Sequence, residues 1–91
     1  MIRFTEEEWL NKENPNPWLS VVMSIGSGIQ LNMQCVSCFE IEYPDKIHKF
    51  TIDKKEWNNF LLGAIEFFSN RENYEICQII QEYQDLLISE N

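Results

Sequence analysis

Three cysteines and a single histidine are the residues of this chain best suited to metal or nucleophilic chemistry. Cys35-Val36-Ser37-Cys38 has the spacing of a zinc or redox pair, and Cys77 and His48 would complete a tetrahedral set. The flanking pattern speaks against both uses. Ile29, Leu31, Met33 and Cys35 alternate with Gln30, Asn32 and Gln34, the period of a half-buried strand. Residues three apart on a strand point to opposite faces, so two sulfurs at this spacing do not meet one ion without a turn. No Gly or Pro between them supplies one. A redox pair needs a helix N-terminus to lower a thiol pKa, and here the context is strand. The thiols therefore read as packing residues, and neither metal nor cofactor is expected. An odd count without a secretion signal fits reduced thiols in the cytosol, against the alternative of one disulfide and a free thiol.

The other catalytic patterns are weaker. His48 falls in a strand and has no oxyanion element beside it. The carboxylates Glu6-Glu7-Glu8 and Glu40-x-Glu42 abound, but acid–base hydrolysis needs two held in a cleft with separated pKa values. Gly26-Ser27-Gly28 lacks the lysine of a phosphate-binding loop and precedes a strand, not a helix. The expectation is a protein that is not an enzyme. The competing reading, a metal or thiol enzyme built on Cys35, Cys38, Cys77 and His48, requires a stoichiometric zinc or a reactive thiol.

Charge carries more information than any motif. Fifteen acids against seven bases give a net charge of −8. Such a chain is steered toward basic surfaces and repelled by nucleic-acid phosphates and anionic membranes. No Lys or Arg occurs between Glu13 and Asp45, and none follows Arg71, whereas Glu72, Glu75, Glu82, Asp85 and Glu90 do. At about 100° per residue, Glu72, Glu75, Glu82 and Asp85 gather on one flank of a helix. The plain account is a solvated face. The functional account is a partner-binding surface made of these four, then Glu40 and Glu42, offered to a basic protein.

These residues need a scaffold, and the pattern gives one domain over residues 1–91 of the α+β class. Apolar residues make up 44% of the chain, enough for one small core. The N-terminus has no apolar run of a signal peptide, and no stretch reaches the ~18 apolar residues of a membrane span. Thr5-Glu6-Glu7-Glu8 forms a capping box opening a helix over residues 6–12, which Asn14-Pro15-Asn16-Pro17 ends. Residues 18–25 are β-branched and apolar and read as a strand, and Gly26-Ser27-Gly28 as a turn. The alternation from Ile29 continues through Phe39, Ile41 and Tyr43 opposite Glu40 and Glu42, as one long bent strand or two with a bulge near residues 35–38. Pro44-Asp45-Lys46 turns into a strand over residues 47–52. Asp53-x-x-Glu56 is a second capping box, and Trp57, Phe60, Leu61, Ala64, Ile65 and Phe68 form a continuous helical stripe. Ser69 and Asn70 break it before a last helix that presents Ile76, Ile80, Tyr83 and Leu87 on one face. The expected order is α-β-β-β-α-α: an antiparallel meander of three strands, or four, with two C-terminal helices on one face.

In size, charge and element order the chain resembles small acidic inhibitor proteins of bacteria and their phages, the toxin-immunity and anti-CRISPR proteins. The resemblance rests on no motif and assigns no residue. It implies a cytoplasmic inhibitor serving immunity or countering antiviral defence. Such a protein would occupy the basic, nucleic-acid-binding surface of a nuclease, toxin or CRISPR effector. The alternative is a non-catalytic adaptor or homodimeric accessory subunit that binds through an apolar helix margin, at Leu62 and Phe67.

Overall fold

The structure, a computed structural model, describes residues 2–89; Glu90 lies outside the described residues. Its first local feature is the capping box the sequence spells out. Thr5 Oγ1 accepts from the Glu8 N–H, and the Glu8 carboxylate accepts from the Thr5 N–H, satisfying two donors at a helix start. Thr5 thus closes a short strand, β1 (Arg3–Thr5), and opens α1 (Glu6–Leu10), which stops two residues before the expected end.

The next segment corrects the sequence reading. Residues 18–25 are helix rather than strand, and Gly26-Ser27-Gly28 is helix rather than turn: α2 runs Asn16–Gln30. Pro17 sits in its first turn, where a missing amide donor costs nothing. Val21, Val22, Ile25 and Ile29 recur along one face and are buried. Tertiary burial of that stripe outweighs the β preference of its branched residues. The two glycines allow close approach rather than a turn. A Cβ on Gly28 would lie 2.6 Å from Val36 Cγ1 and 2.7 Å from a Trp57 ring carbon, and one on Gly26 would lie 2.5 Å from the Tyr83 ring. The alternation from Ile29 to Cys35 is also not a strand. Leu31 and Met33 are exposed in the loop leaving α2, where Asn32 takes a left-handed φ of 59°.

Extended structure begins at Cys35 with β2 (Cys35–Glu42), followed by β3 (Ile47–Asp53) across the Pro44-Asp45-Lys46 turn. These two pair antiparallel, as expected, but no meander of three follows. The third strand is β1, which pairs parallel to β2 with Phe4 opposite Ile41, giving the order β1-β2-β3 in a mixed sheet. Parallel pairing requires a return crossover, and α1 and α2 supply it. The register of β2 against β3 shifts between Ser37 and Phe39. A bulge near residues 35–38, one of the two alternatives the alternation left open, is thus present within the single strand β2, and it puts Cys38 and Phe39 both among the buried residues.

Asp53 has the extended backbone of an N-cap, yet its side chain caps nothing. A 3₁₀ turn (Lys54–Glu56) intervenes before α3 (Trp57–Asn70). Trp57 is fully buried and its indole N–H donates to the Ile52 carbonyl at 3.0 Å. The helical stripe is as expected, with Trp57, Leu61, Ala64 and Phe68 buried and Phe60 and Ile65 half-buried. After a turn in which Glu72 takes a left-handed φ of 58°, α4 (Tyr74–Ser89) buries Cys77 and Ile80 and half-buries Ile76, Tyr83 and Leu87. The element order is β-α-α-β-β-α-α apart from the 3₁₀ turn. α2 packs on β2 and against both α3 and α4, which pair with each other. The far face of the sheet is polar and open: Arg3 binds Glu40 at 3.0 Å, and the Ser37 and Thr51 hydroxyls are 3.3 Å apart. No helix among the described residues is long and apolar enough to cross a membrane.

Replacing a helical glycine by alanine ordinarily stabilises by about 1 kcal/mol. At Gly28 the added methyl has no room, so Gly28→Ala should instead destabilise by about 1–3 kcal/mol. Urea unfolding would read this as a lower midpoint at unchanged slope; a raised midpoint would contradict the packing described.

Candidate functional site

The four acids singled out near the C-terminus come from one helix and the turn before it. Glu75, Glu82 and Asp85 stand on the exposed side of α4, and Glu72 precedes the helix in the turn. No ion pair or hydrogen bond engages any of these four carboxylates among the described residues, and α4 carries no basic residue. Two apolar residues share their side. Glu75, Ile79, Glu82 and Leu86 follow i, i+4, i+7, i+11, one narrow stripe, and Ile79 and Leu86 are 41% and 46% exposed. α4 thus offers apolar side chains flanked by unpaired negative charge.

Glu40 and Glu42 do not join this stripe. Both lie on β2; Glu40 is bound by Arg3 through Nε and Nη2 and is only half-exposed, so its charge is locally offset. Glu42 is exposed. The apolar margin divides in the same way. Leu62 is exposed, whereas Phe67 is half-buried beneath Arg71, whose guanidinium lies 3.6 Å from the ring centroid. Phe67 is therefore a wall, not a free anchor.

The thiols are separated. Cys35 is exposed and Cys38 and Cys77 are buried, and no group of three or more His, Cys, Asp or Glu among the described residues is placed to hold a metal ion. Burial pushes the Cys38 thiol above its ordinary value, with a hydrogen bond to Ser24 opposing the rise. Cys77 Sγ donates to the Ile65 carbonyl at 3.7 Å. His48 is exposed on the edge strand β3.

One site has no counterpart in the sequence reading. A cleft of about 370 Å³ opens among α1, α2, α3 and β3, walled by Trp9, Trp18, Phe50, Phe60 and Phe67. The five rings come from four elements, so no spacing along the chain announces them. Assigning Trp18 and Val21 to a strand also hid their proximity to Phe67. The only signal available was the number of aromatic residues, three Trp, six Phe and three Tyr in 91 residues.

Comparison with protein-family models, with curated proteins and with solved structures finds no match to this chain.

The Cys38 environment has a consequence in alkali. A thiol whose folded pKa is raised holds its proton to higher pH in the folded state than in the unfolded chain. Its contribution is fully present below the ordinary value of 9.0 and is lost as pH rises beyond it. As pH rises through and beyond 9.0 the urea midpoint should therefore fall more steeply in the wild type than in Cys38→Ala. Parallel slopes would show that Cys38 is not the group responsible.

Proposed function

We propose that the protein is a non-catalytic inhibitor that works by binding, laying α4 against a basic, nucleic-acid-binding surface of a nuclease or CRISPR effector. The observation that carries this reading is the α4 stripe, where Ile79 and Leu86 lie exposed between carboxylates that have no partner among the described residues. Apolar residues within a charged rim match the anatomy of protein interfaces, the apolar centre giving affinity and the rim fixing orientation. Net charge of −8 adds long-range attraction toward a basic groove and raises the association rate. A surface evolved to hold phosphates would recognise the same row of acids.

The second reading, an adaptor or homodimer formed through the apolar residues, draws on the exposure of Leu62, Ile79 and Leu86. Self-association through the α4 stripe would bring one set of Glu75 and Glu82 against its copy, since a two-fold interface meets itself. That repulsion favours a basic partner over a second acidic copy.

The test uses the intact chain against a panel of purified nucleases and CRISPR effectors, with cleavage as readout. Inhibition should appear near one equivalent. Glu75→Lys, Glu82→Lys and Asp85→Lys together should weaken binding by roughly 10-fold or more at low salt and flatten its dependence on salt concentration. Equal affinity of the triple variant would remove α4 from the interface. A stable homodimer in native mass spectrometry, with no inhibition of any enzyme in the panel, would transfer the assignment to the second reading.

A further inference from the structure

The aromatic cleft stands apart from α4, none of whose residues lines it. Trp9, Trp18, Phe50, Phe60 and Phe67 are each only part-buried around it, an apolar surface left to water by a small chain with little core to spare. The rings are held in a fixed frame. Trp9 and Phe50 lie 5.5 Å apart, Phe50 and Phe60 5.9 Å, and Trp18 and Phe67 6.1 Å. The Trp18 ring rests over Gly63, where a Cβ would come within 2.8 Å of it. Phe67 is clamped from outside by Arg71, which also binds Glu13 at 2.8 Å and the Lys12 carbonyl at 3.5 Å.

The mouth has a definite polarity. Both amide oxygens lining the mouth are already used: Asn11 Oδ1 takes the Glu13 N–H and Asn14 Oδ1 takes the Asn16 N–H. The Glu13 carboxylate stands beside the mouth, outside the lining, and is bound by Arg71 through Oε2. The Asn14 amide is spent on the Glu8 carbonyl. Of the polar side-chain groups that line the cleft, those left unengaged among the described residues are donors: the Lys12 ammonium, the Asn11 amide nitrogen and the indole N–H groups of Trp9 and Trp18. Among the described residues no carboxylate lines the cleft. In a chain of net charge −8 this is the reverse of the general surface.

We infer that the cleft binds a small planar aromatic molecule bearing a carboxylate or similar anionic group, its rings between the tryptophan and phenylalanine walls and its anion at Lys12 and Asn11. The volume falls at the lower end of ordinary ligand pockets, in keeping with a compact two-ring compound. Aromatic walls also suit organic cations, but those sites gain from carboxylates in the lining, whereas here the charged lining group is the Lys12 ammonium and the neighbouring Glu13 carboxylate is bound by Arg71. The inference stands independently of the inhibitor reading, since it uses no residue of α4.

The test titrates the full chain with three probes of one shape and different charge: 1-naphthoate, 1-naphthylmethanol and 1-naphthylmethylammonium, at about 0.15 M salt. Indole N–H resonances are the readout. Naphthoate should shift those of Trp9 and Trp18 and leave that of Trp57, which is bonded to the Ile52 carbonyl, in place. It should bind about tenfold more tightly than the alcohol or the ammonium. Lys12→Glu, on an exposed loop, should remove that preference while keeping the alcohol's affinity. Trp18→Leu should weaken all three probes. The inference is overturned if naphthoate at about 1 mM moves neither indole, if the ammonium binds most tightly, or if Lys12→Glu leaves naphthoate unaffected.

Discussion

Phe39 is the point at which most of this fold meets. Its ring has no exposed surface and stacks on Phe50 at 4.9 Å and 5°. Phe4 meets it edge-on at 5.1 Å and Trp9 at 5.5 Å, and Phe50 passes the contact on to Phe60. β1, α1, β2, β3 and α3 are thereby joined through one set of rings, each pair contributing roughly 0.5–1.5 kcal/mol beyond its buried area. The arrangement depends on the register shift in β2. Strict alternation from Val36 would turn Phe39 outward with Ser37; the extra residue returns Phe39 and Ile41 to the core while keeping Cys38 there too. A strand as short as β1 has few ladder hydrogen bonds to hold it, so the Phe4–Phe39 contact is what makes its parallel attachment worthwhile.

The parts of this fold legible in the sequence were those whose signal is local. Thr5-x-x-Glu8 is complete in four residues, and the stripe from Trp57 to Phe68 repeats three times at helical spacing, so both were readable without a partner. α2 was not. Its valines, isoleucines and paired glycines have strand and turn preferences, and its helical stripe is rewarded only when β2, Trp57 and Tyr83 stand where Gly26 and Gly28 let them approach. The alternation from Ile29 to Cys35 is a coincidence of composition, exposed by the solvation of Leu31 and Met33. β1 had no readable signal, since three residues gain strand geometry only from the neighbour they find. The acids on α4 were legible as a face because the helix was; that Glu40 is tied to Arg3 was not, since 37 residues separate them.

Charge is distributed to suit this framework. On the open face of the sheet Arg3, Glu40 and Lys49 share one row of the register, so an acid there is flanked by two bases. In α1 the acids occupy the first turn, where the helix dipole favours them and Glu8 also caps. α4 has no such relief beyond Glu75 in its first turn. Glu82 and Asp85 are three residues apart on one helix, a like-charge pair that costs a few tenths of a kcal/mol and that no lysine on the helix offsets. Repulsion carried by a folded chain without internal compensation is a cost that a basic partner removes on binding, which is the physical basis for reading α4 as an interface rather than as a solvated surface.

The aromatic cleft and the acidic helix operate over different distances. Carboxylates on α4 would attract a basic partner through solvent over roughly the 8 Å that salt permits, while the cleft would hold a ligand only at contact. Perturbations of the two should add, because separated sites without shared partners do. Arg71 is the residue that qualifies this. It ends α3, immediately precedes Glu72, stacks on Phe67 at the cleft wall and holds Glu13 and the Lys12 carbonyl at its mouth. A ligand that displaced Phe67 would have to move this guanidinium, and with it the left-handed turn from which α4 departs. Any coupling between the two surfaces would run through Arg71, which touches Phe67 on the cleft side and adjoins Glu72 on the other.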